Sequence, residues 1–185
     1  MSLDNSRVAE KLALRRWALR QFHPTPPRVL DLCAGQQVIW GMLRQEFTIA
    51  SYAAFDRHTS TGRHFHVNDS VRVARSAWIA DVVDIDTYGE PWPHWLAVLE
   101  RGLAPLTVFL TVGYSPTKIS TVSKCVHRAL GLGAIHVPPA MSFHLMGLII
   151  RVMLHQATRY GYRFRLWTIP AGDLADYYAV RLERA

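Results

Sequence analysis

Arg28-Val29-Leu30-Asp31-Leu32-Cys33-Ala34-Gly35, followed by Gln36-Gln37-Val38-Ile39-Trp40-Gly41-Met42-Leu43, is the stretch on which the reading of this chain turns. An apolar, β-favouring run reaches an acidic residue and a turn of small residues, and the apolar spacing that follows fits a helix. That order describes a buried strand, a tight loop and a helix N-terminus. At such a junction free backbone N–H groups and the positive end of the helix dipole face a crevice, and Gly35 lets a ligand approach the main chain closely. Small cofactors bind at this place in open parallel sheets.

Working outward, Asp4 or Ser6 can cap a first helix that runs to Phe22. Val8, Leu12, Leu19 and Phe22 recur near helical spacing there, with Lys11, Arg15, Arg16 and Arg20 assigned to its other faces. Pro24, Pro26 and Pro27 end it. Downstream, Thr48 to Phe55 predicts a second strand ending on Asp56, and Phe65-His66-Val67 a short third one after the polar loop Arg57 to His66. Ile79 to Asp86 predicts a fourth strand that runs into Thr87-Tyr88-Gly89-Glu90-Pro91-Trp92. A helix from Pro93 to Arg101, a strand from Leu106 to Val112, the loop Gly113 to Lys118 and a helix from Ile119 to Leu130 follow. After the Gly and Pro breaks at 131–139 comes an apolar helix from Met141 to Tyr160. Tyr162 to Ile169 and Asp176 to Glu183, joined by Pro170-Ala171-Gly172-Asp173, predict an antiparallel return. Strand and helix alternate, which predicts an α/β chain with a doubly wound, mostly parallel sheet.

Length and composition narrow the class. The 185 residues, half of them hydrophobic, fit a single domain with a substantial core: an N-terminal helix over 1–25, then sheet and flanking helices over 26–185. Lys and Arg outnumber Asp and Glu by 21 to 14, a net charge of +7, which favours anionic partners such as nucleic acid. The basic residues are spread along the chain, so no basic tail is expected. Cys33 and Cys125 form no CxxC pair, which argues for a reduced, cytoplasmic setting and against a zinc ribbon. The apolar stretch Met141 to Leu154 is broken by His144 and Arg151 and is too short to span a bilayer, so no membrane partner is expected. His58, His64 and His66 have no fourth ligand spaced with them, so no metal site is assigned.

Two stretches carry a resemblance to a known family. The first resembles the opening motif of the class I S-adenosylmethionine-dependent methyltransferases, a hydrophobic strand, an acidic residue and a loop of small residues. Asp31, Cys33, Ala34 and Gly35 match its positions, and Gln37 stands where the last glycine is usual. The second, Asp86-Thr87-Tyr88-Gly89-Glu90-Pro91, is similar to the catalytic loop of amino-methyltransferases, and most of all to the Asp-Pro-aromatic-Gly-x-Pro form of the tRNA guanine dimethyltransferases. Thr87 replaces the proline. The resemblance implies a seven-stranded Rossmann-like sheet with an antiparallel last strand, and S-adenosylmethionine as cofactor. Asp31, Cys33, Ala34, Gly35, Asp56 and Asp69 would then surround the cofactor, Asp56 accepting from ribose hydroxyls and a polar side chain near Asp69 meeting the adenine.

The chemistry implied is methyl transfer to an exocyclic amine, whose delocalised lone pair makes it a poor nucleophile. Asp86 would accept one N–H and a backbone oxygen beside Thr87 the other, while Tyr88 stacks on the base. Trp92 can extend that stacking surface, and Tyr114 and Lys118, after the fifth strand, can touch substrate or phosphate. A chain this short shows no target-recognition domain, so a partner chain or a second copy is one source of specificity. Two other readings stay open: a methyltransferase of small molecules or proteins, and an inactive nucleic-acid-binding member of the fold, consistent with the departures at Gln37 and Thr87.

Overall fold

β1 (Arg28–Asp31) lies inside the sheet because Val29 and Leu30 are both buried, one towards each face. In the computed structural model, residues 7–56, 66–67, 69–87, 90–113, 124–131, 146–170 and 175–185 are described, His66, Val67 and Pro170 by their backbone alone. β1 pairs in parallel with β2 (Ser51–Asp56) on one side and β4 (Val82–Ile85) on the other. β3 (His66–Val67) adds to β2 and β5 (Leu106–Gly113) to β4, again in parallel. β7 (Ala175–Arg184) runs antiparallel to both β5 and β6 (Tyr162–Pro170), giving the order β3-β2-β1-β4-β5-β7-β6.

One sequence expectation for the sheet needs correction. A full seven-stranded sheet was expected, yet β3 contributes two residues on a two-pair ladder, so the sheet proper is a mixed one of six strands. The antiparallel last strand is present as expected: β7 inserts between β5 and β6, and β6 is the edge. Its pattern accounts for this, since Tyr177, Tyr178, Ala179, Val180 and Leu182 are all buried, as a strand covered on both faces requires.

Helices cover both faces. α1 (Val8–Phe22) and α2 (Val38–Glu46) pack on one, where Leu12, Leu19, Ile39, Trp40 and Leu43 meet Val29, Val82, Phe109 and Ala179. α3 (Ser70–Arg75), α4 (Trp92–Arg101), α5 (Lys124–Leu130) and α6 (Met146–Arg159) cover the other, with Trp92, Trp95, Ile149 and Met153 against Leu30, Val83 and Ile85. Large side chains buried this fully each stabilise by about 1.5–3 kcal/mol. α3 has no counterpart among the sequence expectations: it is six residues long, too short for a periodic signal, and is marked by the Asp69 cap alone.

α1 overturns the assignment of its cations. Lys11 and Arg15 are only 7% and 2% exposed and belong to the buried face with Leu12 and Leu19, whereas Arg20 faces solvent. Spacing already put them there, at i+3 and i+7 from Val8, and their charge argued otherwise. α1 ends where His23 meets Thr107, Nε2 to Oγ1 at 2.9 Å. Burial, helped by nearby Arg181, brings the His23 pKa down to about 4. The folded chain therefore favours the neutral ring, and stability falls as pH drops from about 6.5 through about 4.

Candidate active site at the carboxyl edge of the sheet

The strand order reverses direction between β1 and β4, and parallel pairing brings the C-terminal ends of β1, β2 and β4 to one edge. This is the switch point at which α/β sheets open a crevice. The loop leaving β1 is shaped by two left-handed residues, Gly35 at φ 47° and Gln37 at φ 57°. Glycine reaches that region freely, whereas a residue with a Cβ is strained there by about 1–2 kcal/mol. The glycine usual at position 37 thus has a backbone reason, and Gln37 adopts the same conformation at that cost. The Ala34 N–H donates to the Phe55 carbonyl (3.0 Å), the Gln37 N–H to the Ala34 carbonyl (2.7 Å) and the Gly35 N–H to Asp56 Oδ2 (2.8 Å). A Cβ built on Gly35 meets none of the described residues within 4 Å, so among them space is open over the loop.

Beneath the loop lies a charge cluster. Arg15 binds Asp84 through two hydrogen bonds of 2.7 Å, both side chains 2% exposed, and the indole N–H of Trp40 donates to the same carboxylate at 2.7 Å. Burial works against charge on Arg15, but Asp84, aided by Asp86 and Asp31, holds its pKa above the ordinary value. Lys11 Nζ donates to both oxygens of Asp86, at 2.8 and 2.6 Å. Asp31 accepts from the Tyr52 hydroxyl at 2.8 Å and from the Cys33 N–H at 3.4 Å. Burial first, then the neighbouring Asp84 charge, raises the Asp31 pKa well above the usual carboxylate range. Both causes act in the same sense, since burial and a neighbouring negative charge each disfavour the carboxylate form.

The expected site residues therefore fall into groups. Ala34, Gly35 and Asp56 are joined at the mouth, and Asp86 stands at the end of the neighbouring strand, its side chain 20% exposed. Asp31 is buried and orders the loop from below. Cys33 packs against the core, and burial raises its thiol pKa, which leaves it no nucleophilic role. Asp69 caps α3 by accepting from the Val71 N–H at 3.0 Å. Trp92 is a correction: fully buried in the core, it offers no stacking face. Tyr88, Tyr114 and Lys118 lie outside the described residues, as do the side chains of His58, His64 and His66. Lys11, Arg15, Trp40 and Tyr52 escaped the sequence reading. One signal was available: Asp84, inside an otherwise apolar strand, calls for a buried cation.

No protein-family model matches the chain, and no curated protein matches it in sequence. Solved structures do match in shape. Trm1 from Pyrococcus horikoshii, solved with S-adenosyl-L-methionine, aligns at a TM-score of 0.63 and 13% identity over 100% of this chain, which spans 57% of that one. The candidate methyltransferase yhhF from Escherichia coli aligns at 0.59 and 11% identity, over 100% of this chain and 89% of its own. The plantazolicin methyltransferase BamL, solved with a triazolic desmethylPZN analog and SAH, aligns at 0.58 and 10% identity, over 96% of this chain and 86% of its own. The fold of this chain is that of the class I S-adenosylmethionine-dependent methyltransferases.

Proposed function

We propose that the chain binds S-adenosylmethionine at the carboxyl edge of β1 and β2 and methylates an exocyclic amine of a nucleic-acid base beside Asp86. The observation that carries this reading is the register Leu30↔Val83 and Asp31↔Asp84, which delivers the Gly35 loop and Asp86 to one mouth on adjacent parallel strands. The residues present fit the cofactor. No described residue crowds the space over Gly35, and Asp56, which accepts the Gly35 N–H, keeps lone pairs for a ribose hydroxyl. Structural neighbours solved with this cofactor or its product support the same assignment. When bound, the cofactor supplies an electrophilic methyl group on a positively charged sulfur.

The chain's own residues then position the acceptor. A carboxylate has about four lone-pair sites, so Asp86 can hold Lys11 and still accept an N–H from the substrate amine. That contact would direct the nitrogen lone pair away from the ring and stabilise the positive charge that develops as the N–C bond forms and the S–C bond breaks, and the carboxylate would then accept the proton the amine loses. The Lys11 pair fixes the carboxylate from behind, and Thr87 Oγ1, buried with no hydrogen-bond partner among the described residues, is a further polar group at this strand end. The net charge of +7 favours a polyanionic substrate.

Incubation with cofactor labelled in its methyl group and separate pools of RNA, DNA, protein and metabolites tests the proposal. Label is expected in a nucleic-acid pool, on an exocyclic nitrogen. Label confined to metabolites or protein overturns the substrate assignment, and no label in any pool, with no thermal stabilisation by S-adenosylhomocysteine, overturns the cofactor assignment as well. A ligand at about a hundred times its dissociation constant stabilises by roughly 2.7 kcal/mol, a shift easily read.

A further inference from the structure

α1 ends at Phe22 beside Arg181 of β7, and on the same face Arg163 and Arg165 of β6 are exposed. Alternate residues of β6 on this side are Arg163, Arg165 and Trp167, facing Glu183, Arg181 and Ala179 of β7 in register. Arg165 and Arg181 are therefore directly opposed like charges, an arrangement that destabilises a strand pair unless an anion lies between or beside them. Glu183 pairs with Arg165 at 3.8 Å, the Arg165 side chain being 66% exposed, and Glu183 and Asp81 both favour the charge on Arg181, so carboxylates offset this repulsion in part. Arg181 also leans on the Phe22 ring, 5.4 Å from its centroid, and donates to Thr107 Oγ1 at 3.0 Å.

Against these guanidinium groups stands a cluster of rings. Trp17, Phe22 and Trp167 are mutually packed, with centroids 4.7 to 5.6 Å apart, and Trp17 remains 37% exposed. An open groove of about 410 Å³ runs beside Trp17 over Ala13, Arg16, Arg20 and Gln21. Arg16 is held by Glu46 through two hydrogen bonds, whereas Arg163, Arg165 and Arg181 share Glu183 on β7. Three guanidinium groups around that carboxylate, set beside the exposed Trp17, suit a single-stranded nucleic acid: cations for phosphates and a ring for an unpaired base.

Distance gives the surface its meaning. On β5, Gly113 at the mouth and Thr107 beside Arg181 are six residues apart, roughly 20 Å at 3.3 Å per residue. Only an extended substrate spans both.

We propose that the Trp17–Phe22–Trp167 cluster with Arg163, Arg165 and Arg181 is a docking surface for a single-stranded segment of the nucleic acid whose base is modified at the distant mouth. Its purpose rests on the function proposed above, while its observations do not. Recognition is thereby built into the basic domain itself.

Anisotropy of a labelled, unstructured RNA of about twelve nucleotides tests this. The exposed double variant Arg163→Glu/Arg165→Glu is expected to weaken binding by ten- to a hundredfold at low salt and to flatten the salt dependence by roughly one to two counterions. Trp17→Ala should cost about tenfold or more with little change in that slope. Arg151→Glu/Arg159→Glu, an equal charge change on α6 across the sheet, should leave affinity nearly unchanged. Equal losses in the β6 and α6 variants, or no loss in the β6 variant, overturn the surface, as does tighter binding of duplex than of single strand. Methyl transfer to nucleic acid by the wild type with β6 variants binding normally removes this surface alone. Binding that depends on β6 without any transfer leaves the surface standing and removes the function.

Discussion

Asp86→Asn is expected to cut methyl transfer by about a hundredfold while leaving the affinity for S-adenosylhomocysteine unchanged. Asparagine keeps the size and one acceptor oxygen but loses the charge that would stabilise the developing positive nitrogen and turns an amide towards Lys11. A charge-assisted hydrogen bond contributes about 1.5–3 kcal/mol, which alone is ten- to a hundred-and-fiftyfold, and misalignment of the attack adds to it. Single-turnover transfer measured beside calorimetric cofactor titration separates the two effects. Full activity in this variant would remove Asp86 from the chemistry and leave the Lys11–Asp86 pair as a clamp between α1 and β4.

The largest effect on stability is expected at Arg15. Arg15→Met leaves the Asp84 carboxylate buried with the Trp40 indole as its remaining hydrogen-bond partner among the described side chains, and stranding a buried charge in this way costs about 3–5 kcal/mol. For a chain of this size that lowers Tm by roughly 10 °C or more. Arg15→Met/Asp84→Asn should recover a large part of the loss, because asparagine removes the charge and still offers an oxygen to Trp40. Denaturant titrations of the wild type and both variants read the difference. If the double variant were no more stable than the single one, the pair would matter for shape and not for charge compensation.

Much of the architecture was written in the chain from residue to residue. The strand, turn and helix of 28–43 declare themselves by period and by small residues, and the strand-helix alternation extends that frame to the C-terminus. The position of β7 was hidden, because two adjacent antiparallel strands read alike whichever becomes the edge, and only pairing with β5 decides it. The carboxyl edge was legible through Gly35 in the loop after β1, Asp56 at the end of β2 and Asp86 directly after β4. Its underside was not. Lys11 and Arg15 are distant in sequence from Asp84 and Asp86, by 75 residues for the Lys11 pair, and a charged residue on an apolar stripe announces a partner without saying which. Trp92 illustrates the converse, since an aromatic at a helix start beside a candidate site has the same sequence signature whether it faces substrate or core.

A crystal structure of the chain with S-adenosylhomocysteine addresses the shared mouth most directly. The ribose should lie against Asp56, the ligand should pass over Gly35, and its sulfur should face Asp86 across a gap wide enough for a methyl group and an amine. A ligand seated on another edge of the sheet, or turned so that the Asp86 carboxylate points away from the sulfur, would contradict the assignment of this crevice to methyl transfer.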